Sequence, residues 1–545
     1  MGKDVQPTSV LVSGPYRLCL ATLAAFAVLA IGCNRSPSGA LAPEASGGVV
    51  LLPARVRRLT NAEYERTISA LVLAREDVAD RLPPDVRQEG YTPNAEQTVP
   101  SAWGAGLDAI AREVAHRAVT QRLAALAPCA QSHAASCSAD LVEALGRRAW
   151  RRPLEPAERS VLLAAFDVGA QSGGVAGGAE AVLTALLESP SLLYVTELGS
   201  GGASPGAIVT LTQYEIASLL SYTVRGGPPD DALMQAAASG TLLLPDVREQ
   251  QARRLLALSD TRLHFRRFVL EWLEVDGLSR TAKSEDLFPD YEDAKERMLE
   301  ETTAFADEVM VYARGSVRAL LDARFASVDP DMARFYGLKT WGPRASLAGT
   351  RRAGVLQQAS FLAAHAHEDV TSPVKRGDFV LRRLLCTRIP RPGEVGIETV
   401  FPPPSRAKTT RERFTSHSDN SACRGCHKQL DALGYTFESF DAIGAARTTD
   451  NGRPIDTGAH VDVGGEPASF GDSLDLAQWL ARNPDVSDCY LRQAFRYFTA
   501  QSDPKVESEL LALSRALPSR LGDDLFEGLI AYVRSDLFIK REVRP

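Results

Sequence analysis

Apolar residues in this chain recur at helical spacing, and that periodicity restricts the fold more than any other feature. Ile216, Leu219 and Leu220 fall on one face, as do Phe265, Phe268, Val269, Trp272 and Leu273. Leu491, Ala494, Phe495 and Phe498 repeat the pattern, and so do Phe526, Leu529, Ile530 and Val533. Thr60 with Glu63, and Thr212 with Glu215, have capping-box spacing, a hydroxyl followed three residues on by a carboxylate. Strand alternation is scarce. Its best instance is residues 447–455, where Asn451-Gly452 supplies two residues tolerant of positive φ for a hairpin turn. The expected class is mainly α, several small helical domains with a minor β-hairpin.

A length of 545 residues is too much for one hydrophobic core. Pro-, Gly- and Ser-rich or polar stretches at 83–100, 173–178, 199–206 and 390–404 punctuate the helical runs. They predict helical domains at 50–124, 125–202 and 203–344, a further domain at 345–467 and a C-terminal helical domain at 468–545. Hydrophobic residues at 45% and charged residues at 24% argue against a wholly disordered chain. With 61 basic and 68 acidic side chains the net charge is −7, no electrostatic footprint for nucleic acid, so no nucleic-acid partner is expected.

The N-terminus reads as an address. Lys3 and Arg17 precede residues 18–31, which carry no charge and are too few to span a bilayer. The run suits the apolar region of a secretory signal peptide. It closes on Ala30-Ile31-Gly32-Cys33, which resembles the bacterial lipoprotein cleavage box, in which the cysteine becomes the lipidated first residue. The expectation is a signal over 1–33, a lipid on Cys33, a flexible tether at 34–49 and an envelope location, periplasm or cell surface. The alternatives are plain secretion and an uncleaved anchor.

Export changes the reading of the cysteines, because exposed thiols pair in an oxidising compartment. Cys129 and Cys137 are close enough in sequence to bridge locally, which leaves Cys386 and Cys489 to each other. Four cysteines allow three pairings, and spacing does not choose among them.

Cys423-Arg424-Gly425-Cys426-His427 has the C-x-x-C-H form by which c-type haem is attached. Two thiols add to the porphyrin vinyl groups, and the adjacent imidazole ligates iron. With eight cysteines and eight histidines in the chain, about 0.002 such motifs are expected by chance. Cys423 and Cys426 are therefore the candidate attachment sites for one haem c, with His427 the axial ligand. Two rivals use the same residues: a tetrathiolate zinc site recruiting Cys386 and Cys489, or a Cys423–Cys426 disulfide. Neither explains His427.

The sixth iron position is open to argument. Met332 is the last methionine and lies upstream. Candidate sixth ligands are therefore His460, His417, His365 and His367. After the motif, Gly434 is expected to end a short helix as a C′ residue. Asp431, Tyr435, Phe437 and Phe440 follow, with the aromatic rings either walling a haem edge or packing in the core. In the block at 371–377, Ser372 caps a helix with Pro373 in its first turn. Lys375 and Arg376 there call for an anion, an ordinary carboxylate in the first instance or a haem propionate. No hydrolase elbow, zinc-protease motif or phosphate loop is present.

Several segments resemble the large secreted cytochrome-like proteins of planctomycete type, which string domains of unknown function around a single C-x-x-C-H. Leu59-Thr60-Asn61-Ala62-Glu63-Tyr64 is similar to the opening of their first domain, and Arg148-Ala149-Trp150-Arg151-Arg152-Pro153-Leu154 to the second. Leu187-Glu188-Ser189-Pro190-Ser191-Leu192-Leu193-Tyr194 resembles the approach to the third. Residues 211–222 with Pro229-Asp230-Asp231 resemble the third itself. Residues 371–377, 423–434 and 437–441 resemble the haem-motif domain, with Asp431-Ala432 where Asp-Pro is the family's form. Residues 489–498 resemble the last. The resemblance implies that Cys423 and Cys426 attach haem and that His427 ligates it, but it supplies no reaction or substrate. The leading expectation is a membrane-anchored, single-haem electron-transfer protein with a redox partner of unknown identity, a role favoured over a catalytic one. A haem-free scaffold or binding lipoprotein is one alternative. A peroxidase or oxygenase with an open axial position is another.

Overall fold

The computed structural model describes residues 50–131, 137–390, 392–395, 405, 407–418, 421–463, 465–518 and 524–544. The expected signal, the lipidation at Cys33 and the tether at 34–49 lie outside them. Val50–Pro545 forms one compact unit. It is mainly α, as the periodicity requires, and no described helix is long and apolar enough to cross a membrane.

Six helices carry the argument: α1 (Asn61–Leu71), α2 (Gln213–Arg225), α3 (Thr261–Trp272), α4 (Pro373–Phe379), α5 (Ser421–Tyr435) and α6 (Pro484–Thr499). Both capping boxes form. At the start of α1, the Glu63 N–H donates to the Thr60 hydroxyl at 3.1 Å and the Thr60 N–H to the Glu63 carboxylate at 2.9 Å. At α2 the corresponding distances for Thr212 and Glu215 are 3.2 and 2.8 Å. Each pair satisfies two N–H groups that the helix itself leaves without partners.

The apolar stripes face inward. On α3, Phe268 is fully buried amid Tyr91, Trp272, Tyr490, Tyr497 and Phe498, with ring centroids 5.3–6.3 Å away. This cluster belongs to the largest core, which runs from Leu51 to Ile539. A second core gathers residues between Leu59 and Val195 and adds Tyr222 of α2. A third lies around Met298, Met332 and Tyr336.

Strands are short and pair two by two among the described residues. They are β1 (Arg55–Arg58), β2 (Tyr194–Glu197), β3 (Ile208–Thr210), β4 (Phe325–Val328), β5 (Gly342–Ser346), β6 (Thr449–Asp450), β7 (Arg453–Pro454), β8 (Ala459–Val463), β9 (Glu466–Phe470) and β10 (Lys540–Glu542). All five pairs are antiparallel: β1 with β2, β3 with β10, β4 with β5, β6 with β7, and β8 with β9. The β6–β7 hairpin turns at Asn451 (φ 51°) and Gly452 (φ 75°), where two residues with positive φ suit the right-handed strand twist.

One buried carboxylate ties distant strands together. Glu197 of β2 accepts from Arg55 of β1 at 2.8 Å and from Arg541 of β10 at 2.6 Å. Arg55 also donates to the Thr499 and Ala500 carbonyls, where α6 ends. Glu197 and Arg541 are both fully buried.

The helices α4 and α5 meet backbone to backbone. A Cβ on Gly377 would sit 1.9 Å from the Leu430 carbonyl oxygen, and one on Gly434 1.9 Å from that of Pro373. Gly434 therefore does not close the helix as a C′ residue. It lies inside α5 without positive φ, and glycine is needed there for close approach.

Three outcomes follow for stability. Glu197→Gln strands two buried guanidiniums, and equilibrium denaturant unfolding should show a loss of about 3–5 kcal/mol. Burial alone would raise the Glu197 carboxyl, but Arg541 and Arg55 outweigh it and pull the group down to about 2. A depressed folded-state value stabilises above the usual carboxylate range. That contribution is lost as the pH falls from about 4.5 toward 2, a trend a pH series of unfolding curves would register and Glu197→Gln would flatten. Gly377→Ala should cost about 1–3 kcal/mol in the same assay by forcing α4 off α5.

Candidate functional site

The C-x-x-C-H motif occupies the first two turns of α5. Arg424, Gly425 and Cys426 are exposed, and the Cys426 thiol is free. The side chain of Cys423 lies outside the described residues, although its backbone is helical. His427 is partly covered, and its Nδ1 lies 3.0 Å from Asp431 Oδ1, one turn further along the same helix. The Asp431 side chain is only 4% exposed. A carboxylate acceptor at Nδ1 places the imidazole proton there, so that metal ligation by this ring would go through Nε2. Asp431 is the functional residue that sequence reasoning left without a role. Its signal was the i, i+4 spacing from His427 on a helix.

The rest of α5 is gripped from behind. Leu430 and Leu433 are buried against the largest core. Ser372 caps α4 as its sequence predicts, accepting from the Lys375 N–H at 3.3 Å. Arg376 points into the protein and donates to the carbonyls of Phe437, Leu362 and Asp441 at 3.0–3.2 Å. Its nearest carboxylate is Glu438, at 3.7 Å, so the anion that the block calls for is an ordinary one. Glu438 also accepts from the Thr371 hydroxyl at 2.8 Å and from Arg447 at 2.7 Å. Burial pulls the Arg376 guanidinium down to about 10, against the opposing pull of Glu438. Lys375 donates to the Ala366 carbonyl at 3.1 Å.

The aromatic residues after the motif pack inward. Tyr435 lies beneath Arg411, Phe440 beneath Arg352, and Phe437 against Phe361.

The four candidate sixth ligands fall in different places. His365 is buried, donates from Nε2 to the Leu273 carbonyl at 2.9 Å, and packs against the rings of Phe361 and Phe379. Burial pushes it down to about 4. His367 is half-buried, and its carbonyl accepts from Lys283 at 2.7 Å. His460 stands on the exposed face of β8, 2.8 Å from the Ser469 hydroxyl. The side chain of His417 lies outside the described residues. The site thus joins His427 to Asp431, while His365 and His460 are engaged elsewhere.

The described cysteines away from the motif are paired. Cys129 bonds to Cys137 and Cys386 to Cys489. The second pairing occupies the two sulfurs that a tetrathiolate zinc site would have recruited. Among the described residues no group of three or more His, Cys, Asp or Glu side chains is placed to hold a metal ion.

Four family models match in series. Residues 57–120 match PSD3, a protein of unknown function (DUF1587), and residues 137–197 match PSD5, a protein of unknown function (DUF1595). Residues 211–338 match PSD4, a protein of unknown function (DUF1592). Residues 352–450, which contain the motif and both α4 and α5, match PSCyt3, a protein of unknown function (DUF1588). No curated protein and no solved structure matches the chain. These four domains of unknown function in succession support assignment of the chain to a multidomain family whose motif-bearing segment is of the PSCyt3 type.

Proposed function

We propose that this is an exported, lipid-anchored, cytochrome-like protein that holds one covalent haem c at Cys423, Cys426 and His427 and passes single electrons to a protein partner. One observation carries the reading. Cys129, Cys137, Cys386 and Cys489 are locked in disulfides, whereas Cys426 remains an exposed free thiol beside an imidazole aimed by a buried carboxylate. That donor set fits the group: an accessible thiol suits thioether formation, and an oriented ring suits axial ligation. A bound haem c would supply reversible one-electron transfer. The chain's own contribution is positional. Asp431 holds the His427 proton at Nδ1, and the α4–α5 contact fixes the helix on which the thiols are borne.

Export is supported by the sequence of residues 1–33 and, more weakly, by the two disulfides, which suit an oxidising compartment. Lipidation of Cys33 would then tether the helical body to a membrane, with the surface around Cys426 open to a partner.

Expression with haem-maturation machinery, followed by a haem stain on a denaturing gel, tests this directly. The wild-type chain should stain and Cys423→Ser/Cys426→Ser should not; a colourless wild-type chain of unaltered mass would end the reading. Intact mass should also show acyl chains, lost in Cys33→Ser. In stained protein, Asp431→Asn should raise the midpoint potential in a redox titration, because a weaker acceptor at Nδ1 makes the ring a poorer donor to ferric iron.

A further inference from the structure

Away from the motif, a cleft of about 1260 Å³ opens between α1, α3 and the turn at 225–230. Residues that line it come from two of the segments that carry the family resemblance, Asn61 and Glu63 from one and Pro229 and Asp230 from the other. Concave sites where separate domains meet are the usual location of small-molecule binding. Here the matched segments 57–120 and 211–338 face each other across the opening.

Its charges are unequally matched. Eight of the nine carboxylates in the wall have a cation or an N–H as partner, and the ninth, Asp80, is exposed. Burial raises the Glu271 carboxyl to about 7 despite two hydrogen bonds from Thr92, so its charge is partly lost at neutral pH. Three guanidiniums, by contrast, have no carboxylate partner among the described residues: Arg66, Arg267 and the exposed Arg280. Arg66 donates only to the carbonyls of Arg225 and Asp260, and Arg267 makes no hydrogen bond or ion pair among the described residues. They are neighbours: burial, then Arg267 and Arg225, holds the Arg66 guanidinium below its ordinary range. Between them His264 is 95% buried, and its Nε2 has no hydrogen-bond partner. Burial and the same two arginines keep this ring neutral. Like charges gathered in a concave wall, around a buried imidazole with an unused nitrogen, are what an anion would resolve.

We propose that this cleft binds a small polyanion through its oxyanion groups, carboxylate or phosphate, with Arg66 and Arg267 as the cationic contacts and His264 as a buried hydrogen-bond partner. The site is independent of haem attachment. Isothermal titration of the full mature chain with citrate, tripolyphosphate and the neutral trisaccharide raffinose tests it. Citrate or tripolyphosphate should bind, raffinose should not, and the tighter anion identifies the ligand class. Arg267→Ala removes an exposed side chain that supports no described contact, so folding should survive while affinity falls about tenfold. Affinity should also weaken as sodium chloride is raised. The proposal is overturned if neither anion binds the wild-type chain, if raffinose binds as well as they do, or if Arg267→Ala binds unchanged.

Discussion

The fold depends on satisfying charges that it has taken out of water, and Glu197 is the plainest case. An isolated carboxylate at full burial would cost several kcal/mol. Arg55 and Arg541 supply the compensating charges from β1 and β10. The pairing stabilises only because all three groups are positioned together, which requires the first and last described strands to lie close. The backbone agrees: Ala54 donates to the Glu542 carbonyl at 2.8 Å, and Glu542 donates to that of Leu52 at 2.9 Å. The largest core, running from Leu51 to Ile539, is closed at this point.

The same device recurs with carbonyls in place of carboxylates. Helices end with carbonyls that have no partner within the helix. In this protein arginines from far away in sequence reach several of those ends. Arg248 donates to the carbonyls of Val533 and Arg534, and Arg55 to those of Thr499 and Ala500. Arg376 does the same for Phe437 and Asp441, just past α5. Each guanidinium fixes where one element stops relative to another, more rigidly than apolar contact alone. For α5 this matters doubly, since Arg376 and the glycine contacts at 377 and 434 hold the helix that bears Cys426 and His427.

How much of this was legible depended on distance along the chain. Capping boxes at Thr60 and Thr212, the Asn451-Gly452 turn and the α3 and α6 stripes involve residues within a few positions of each other. Their physics is local, and the sequence displays it. The His427–Asp431 contact is nearly as local but needed the helix to be certain before the spacing meant anything. Gly434 misled because a glycine near a helix end has two physical uses, positive φ and close approach, and only the path of α4 tells them apart. The partners of Glu197, Arg376 and Arg248 lie tens to hundreds of residues away, so no local pattern announces them. Lys375 and Arg376 stand side by side in the sequence as two cations that call for an anion. Geometry divides them, sending one to the Ala366 carbonyl and the other into the core beside Glu438.

A motif of five residues within so large a helical body raises the question of what the body is for. A thiol and an imidazole need only one helix to present them, and α4, with the core beneath Leu430 and Leu433, holds that helix. The domains at 57–120 and 211–338 build a cleft in which Arg66, Arg267 and Arg280 lack carboxylate partners among the described residues while nearly every carboxylate beside them has its own. Like charges drawn together in a concave wall repel one another, and an anion bound between them would relieve that repulsion. Elsewhere the chain sets its buried arginines against Glu197, Glu438 and helix-end carbonyls; Arg66 also reaches the carbonyl at the end of α2, but the exposed Arg267 has no such partner among the described residues. On the binding proposed for this cleft, the negative charge opposite Arg66 and Arg267 comes from solution, on a ligand that both helical domains would contact.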